Sequence, residues 1–270
     1  RVYFVRQDGA KAPFTNAYGS LQTAITHADD HAVKRPVFVL LGDLREEVII
    51  PNTLADGIIV GVGNRPRHGD DSPNAFGPDT ASWRNSEGVT TSPLLVIRAQ
   101  GWKIMNILFD VPTSAAAIEL YRNAEADEAE YDGSHTSIVG NRFAGGETGI
   151  ESMGSENLFN VYVADNTFQD LTDGIKGLTA YRWEVVRNRF VKMTNCIDIP
   201  AVESEFRDNV MVYAPTKGFD LTGGSRNTVS GNVMLGDYNV LNVAGTNDSW
   251  GGNITQDESA ALSTTTPSGS

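Results

Sequence analysis

Gly140-Asn141-Arg142-Phe143, Asp165-Asn166-Thr167-Phe168, Arg187-Asn188-Arg189-Phe190, Asp208-Asn209-Val210-Met211, Gly231-Asn232-Val233-Met234 and Gly252-Asn253-Ile254-Thr255 are six versions of one phrase. Their asparagines fall 25, 22, 21, 23 and 21 residues apart. A period of about 20 to 25 with a short apolar strand in each unit belongs to a solenoid, because one such unit cannot bury its apolar face and must stack on its neighbours.

Working outward from the asparagines, each is preceded by three positions by Ile138, Val163, Val185, Phe206, Val229 or Trp250. Five of them are followed by two positions by Phe143, Phe168, Phe190, Met211 or Met234. These columns are expected inside, stacked coil on coil. A second strand runs through Ile118, Ile150, Ile175, Ile197, Phe219 and Leu241, and period-2 alternation sends Glu119, Glu151, Lys176, Asp198, Asp220 and Asn242 outward. Asn141, Asn166, Asn188, Asn209, Asn232 and Asn253 are expected at a turn between strands, as a structural ladder in which each side-chain amide bonds the backbone and the next asparagine.

The pattern resembles the right-handed parallel β-helix of the pectin-lyase-like superfamily, from about Val37 to Ile254. The fold expected is therefore all-β, a right-handed parallel β-helix with a short N-terminal capping helix. Residues 1–35 hold an edge strand (Arg1 to Arg6) and the cap, in which Ser20 precedes Leu21, Ala24, Ile25 and Ala28 at helical spacing. Such a cap covers core and strand edges at the open end of a solenoid. Residues 36–255 form the helix, with polar excursions at 64–92 and 122–134, and 256–270 form a tail with few core residues. The first excursion carries Arg65, Arg67, His68, Asp70, Asp71 and Trp83, which suit contact with another subunit, a sugar or a metal. The acidic run in the second lacks the glycine and alternating oxygen ligands of a Ca2+ loop.

The 270 residues are 40% apolar, enough for a continuous core, and carry a net charge of -13. That balance argues against nucleic acid or an anionic membrane as partner, both of which need concentrated Lys and Arg. No run of 18 apolar residues is present to span a membrane. The lone Cys196 forms no internal disulfide; it is placed in a Gly-rich outward column, and none of the four histidines pairs with it in sequence. Neither a metal site nor a cofactor is expected. The chain begins at Arg1, which leaves open a leading segment that was processed or omitted.

Site chemistry is sought on the outward acidic column. Adjacent coils lie about 4.8 Å apart, so Asp198 and Asp220 fall near the roughly 5 to 5.5 Å separation of a retaining glycosidase pair. Glu151 and Asp198, two coils apart, sit at the upper end of the inverting range, and Lys176 between them is a candidate lyase-type base whose flanking acids work against that role. The pectate-lyase pattern of Ca2+-binding acids with an arginine on a neighbouring coil is not matched, nor is the paired-acid motif of polygalacturonases. Against that chemistry stands the stronger reading of the column as a solvated face whose alternating signs relieve like-charge stacking. Tyr162 is expected outward as a sugar-stacking residue, with Tyr181 and Tyr213 near turns. Val210, Val233 and Ile254 replace Arg142, Thr167 and Arg189 on one exposed strip and predict an oligomer interface, with a homotrimer preferred.

Leu94 to Phe109, Asp220 to Ser225 and Ala244 to Asp248 are similar to β-helix proteins of tailed bacteriophages. That resemblance implies a virion structural protein, a spike or a capsid or tail decoration, that contacts other virion proteins and host-surface polysaccharide. The alternatives are a secreted polysaccharide lyase or glycoside hydrolase, and a carbohydrate-binding module without turnover.

Overall fold

The computed structural model describes residues 1–7, 17–63, 81–123, 131–178, 180–212, 217–235 and 241–256. They wind into a right-handed parallel β-helix with three long sheets of eleven (A), nine (B) and nine (C) strands, and a three-stranded sheet D. One coil runs Ser137–Val139 in A, Arg142–Ala144 in B, Thr148–Gly154 in C and Leu158–Phe159 in D. The next coil repeats this directly above, in register Ile138 to Val163, Phe143 to Phe168 and Ile150 to Ile175.

The turn from A to B is tight in every repeat, because the residue before each ladder asparagine takes a left-handed backbone. Gly140, Gly231 and Gly252 do so freely, whereas Asp165, Arg187 and Asp208 do so with φ of 53 to 58°. The asparagine that follows is buried and fully bonded. Asn166 N and Nδ2 both donate to Asn188 Oδ1 at 3.0 Å, and Nδ2 also donates to the Ile138 carbonyl at 2.8 Å. The same three bonds recur at Asn141, Asn188, Asn209 and, toward Asn253, at Asn232. Ile107 occupies the ladder position one coil below, and its N–H still donates to Asn141 Oδ1 at 3.0 Å.

Beside the ladder the aromatic column stacks face to face. Phe109, Phe143, Phe168 and Phe190 lie 5.0, 4.8 and 4.8 Å apart with interplanar angles of 6 to 7°. Each buried ring contributes roughly 1.5 to 3 kcal/mol through burial alone. The space above the rings is narrow: a Cβ on Gly174 would lie 2.7 Å from Phe190 and 2.6 Å from the Cys196 carbonyl. Hence the Gly-rich column faces the core and not solvent, and Cys196 within it is fully buried, which drives its thiol pKa well up.

The helix Leu21–Asp30 covers the N-terminal end with Leu21, Ala24, Ile25 and Ala28 buried. Ser20 accepts from Thr23 N and donates to Glu46 Oε2 at 2.7 Å, while Glu46 Oε1 accepts the Leu21 N–H, so a coil residue helps cap the helix.

Several expectations need correction. The strand Val2–Val5 is not the sheet edge, because Ala17–Tyr18 pairs outside it. Within the first expected excursion, Ser82–Arg84 is a strand of sheet B, and Trp83 is core: it stacks 5.6 Å from Phe109 and its indole donates to the Glu46 carbonyl. In the second, Ala116–Asn123 continues outward to pair antiparallel with Tyr131–Asp132. At the top of sheet C the register slips by one residue, so Asn242 pairs with Phe219 and not Asp220, and bonds the Phe219 N–H. Residues 64–80 (with Arg65, Arg67, His68, Asp70 and Asp71), 124–130, Tyr213 and 257–270 lie outside the described residues.

Candidate functional site

Sheet C carries the outward column Glu119, Glu151, Lys176, Asp198 and Asp220, each paired with the next across adjacent strands. Strand spacing sets successive positions about 4.8 Å apart, so each charge feels its neighbours. Burial raises the Glu119 carboxyl above the usual carboxylate range; Glu151 adds to this and Arg98 opposes it. Burial also raises Glu151, with the push of Asp173 and Glu147 and against the pull of Lys176.

The upper half of the column is tied down by lysines. Burial works to lower Lys176, but its bond to Asp173 at 3.2 Å and the charges of Asp173, Glu151 and Glu147 leave its pKa raised. The same neighbours that raise Lys176 hold its proton on and so work against a lyase-type base there. Burial and the Asp220 charge raise Asp198. Asp220 sits in the opposite state: burial would raise it, but Lys217 at 2.6 Å and the hydroxyl and N–H of Thr222 hold it below the usual range. Neither Asp173 nor Lys217 was singled out by sequence reading. Both stand three residues from their partners in the same strand, a spacing that period-2 alternation puts on opposite faces, so sequence pattern alone does not pair them.

Next to Glu151 and Lys176 the turn from B to C opens a cleft of about 440 Å³, bordered by Thr113, Ser114, Ala115, Glu147 and Thr148. The hydroxyls of Thr113, Ser114 and Thr148, a cation and two carboxylates meet there. The cleft can donate and accept hydrogen bonds over several coils.

The other candidates lie elsewhere. Tyr162 is on sheet A, where its hydroxyl accepts from Arg187 Nη2 at 3.2 Å, and Arg187 also pairs with Asp165. Tyr181, on sheet D, donates to Glu203 at 2.8 Å and lies under the Arg182 guanidinium. Val210, Val233 and Ile254 are in register on the outside of sheet B, with Ile254 40% exposed.

Among the described residues no three His, Cys, Asp or Glu side chains are grouped to hold a metal ion. No helix there is long and apolar enough to cross a membrane.

Comparison with known proteins places this geometry in context. A pectate lyase from Bacillus sp. N165, solved in complex with trigalacturonate, superposes with a TM-score of 0.60 at 12% identity, over 100% of this chain and 87% of the lyase. Escherichia coli YbhC superposes with a TM-score of 0.51 at 12% identity, over 88% of this chain and 72% of its own. At such identity these likenesses establish the parallel β-helix fold. No curated protein matches the chain in sequence. The family model described as "Periplasmic copper-binding protein (NosD)" matches residues 113–267. Copper favours imidazole, thiolate and thioether ligands. Within the described part of that stretch stand one histidine, His135, the buried Cys196, the half-buried Met153, and Met193, Met211 and Met234 in the core, so the side chains present do not fit a copper site. By that match over more than half its length, the chain belongs to the NosD family of parallel β-helix proteins.

Proposed function

We propose that the outer face of sheet C binds a neutral or amino-bearing polysaccharide, without turning it over, and that the chain does so as a surface component of a virion. The observation that carries the binding reading is the stacked pair Glu119 and Glu151, both raised, beside the 440 Å³ cleft at Glu147 and Lys176. The two carboxylates accept hydrogen bonds from sugar hydroxyls, and Lys176 beside them donates. A polyuronate would meet like charge at Glu119, Glu151, Asp198 and Asp220, with Lys176 the one cation among them. The best-bonded acid, Asp220, has one carboxylate oxygen on Lys217 and the other on Thr222, and Lys176 holds its proton. These engagements favour binding over catalysis.

The virion assignment rests on the similarity of the stretches at 94–109, 220–225 and 244–248 to tailed-bacteriophage β-helices. Val210, Val233 and Ile254 then form the contact between copies in a homotrimer, and a light-scattering mass three times that of the chain is expected. Glycosidase chemistry is the second reading, favoured by one feature: Asp198 and Asp220 are paired neighbours whose pKa values are pushed in opposite directions, as an acid and a carboxylate partner require.

The test is an array of neutral, amino and uronic-acid oligosaccharides probed with the labelled chain. Retention on neutral or amino glycans, lost in Glu119→Gln/Glu151→Gln, is expected; binding to uronates alone would overturn the reading. Release of new reducing ends from a bound glycan, abolished by Asp198→Asn, would establish the second.

A further inference from the structure

A second groove lies around the corner from the cleft, on the outside of sheet B, and has a volume of about 440 Å³. We infer that this groove is a separate binding site for a neutral saccharide, distinct from the sheet C face and independent of whether that face binds glycan.

Its floor is apolar, made by Leu108 and Ala144 on adjacent strands. Its walls are charged, and the charged groups are held in place. At one end Asp43 accepts from Ser82 and from Arg84 Nη2 at 2.6 Å, which anchors a guanidinium that is 40% exposed. The bond from Ser82, with the charge of Arg84, holds the Asp43 carboxyl below the usual range against the effect of burial. At the other end a buried relay fixes a carboxylate: Arg142 donates to Gln169 Oε1, and Gln169 Nε2 donates to Asp170 Oδ2 at 3.0 Å. Arg142 and Gln169 are 4% and 9% exposed, so the relay is set before any ligand arrives. Asp110 stands exposed between the two ends.

The groove crosses five strands of sheet B, from Asp43–Arg45 to Thr167–Gln169, a length of about 19 Å at the usual strand spacing. An apolar floor with a few oriented polar groups is the general form of a small-molecule site. The exposed Arg84 guanidinium donates and the carboxylates accept, and a vicinal diol, which does both, answers each of them. Three carboxylates against two guanidiniums leave the lining close to neutral and slightly acidic, which selects against an anionic sugar and against a polycation alike.

The test is a titration of the full chain, with methyl groups isotopically labelled, by maltotriose, cellotriose and chitotriose. Leu108 and Ala144 methyl signals are expected to shift and saturate with at least one probe. The affinity is expected to fall by about tenfold or more in Asp110→Ala/Asp170→Ala, whose changed side chains line the groove, and to persist in Glu119→Gln/Glu151→Gln. Signals at Leu108 and Ala144 that none of the three sugars moves at about 10 mM would overturn the site. So would shifts that survive undiminished in Asp110→Ala/Asp170→Ala. Movement confined to Ala115, in the other cleft, would also overturn it while supporting the sheet C reading.

Discussion

The asparagine ladder and the acidic column climb the same coils, one inside the A-to-B turn and the other outside sheet C. From Asn141 to Asn253 the ladder repeats one residue six times, and each link is buried with its amide bonded upward and sideways. The column changes residue type at two of its four steps, from Glu119 and Glu151 to Lys176 and then to Asp198 and Asp220. Repetition satisfies a requirement that every coil shares, namely closing a tight turn without orphaned backbone groups. Variation marks positions that the stack leaves free, and there a ligand can be read.

The largest effects are therefore expected inside. Phe168→Ala removes a ring stacked at 4.8 Å on both sides and should destabilise by about 3 to 5 kcal/mol, read by chemical denaturation. Asn188→Ala takes the shared acceptor from the Asn166 N–H and from one hydrogen of Asn166 Nδ2, and the amide donor from the Val163 carbonyl, and should cost about 3 kcal/mol. An Asn188→Ala chain that melts like the wild type would collapse the distinction between the two columns.

Lys176→Gln should have an intermediate effect, since it leaves the buried Asp173 carboxylate with Asn195 as its remaining bonded partner. Lys176 is 43% exposed, so the loss is about 1 kcal/mol, and it should shrink in high salt.

Glu119→Gln/Glu151→Gln should act in the opposite direction. A carboxyl whose folded pKa is raised binds more protons folded than unfolded, so stability falls as pH rises through the window above the unfolded value. At pH 7 both groups carry that penalty, and the double variant should melt up to about 2 °C higher. The gain should vanish in acid, below the unfolded carboxylate range. A melting temperature lowered at pH 7 would mean that these carboxylates support the fold.

Fold and ladder were legible in the sequence because identical residues recur at a solenoid period and because Gly or Asp precedes most ladder asparagines. Features built from unlike residues were not. A second buried ladder closes the D-to-A turn through Ser204, Asn227 and Asp248, where Trp183 N donates to Ser204 Oγ, Ser204 N to Asn227 Oδ1 and Asn227 N to Asp248 Oδ1. Three residue types doing one job leave no repeated letter. Trp83 hid for a related reason, as a tryptophan in a phenylalanine column beside a proline-rich polar stretch. The one-residue slip at Asn242 breaks strict alternation, which period-2 reading cannot anticipate. Of the site, the acidic column could be listed from alternation, but its charge states depend on Asp173 and Lys217, whose reach along the strand appears only once side chains are placed.

The central claim is that the sheet C column is spare to the fold, and the most direct test is the melting temperature at pH 7 of the triple variant Glu119→Gln/Glu151→Gln/Asp198→Asn. All three carboxyls are raised by burial, so the account predicts melting at or above the wild-type temperature. A fall as large as that of Asn188→Ala would contradict it and would make the column part of the scaffold.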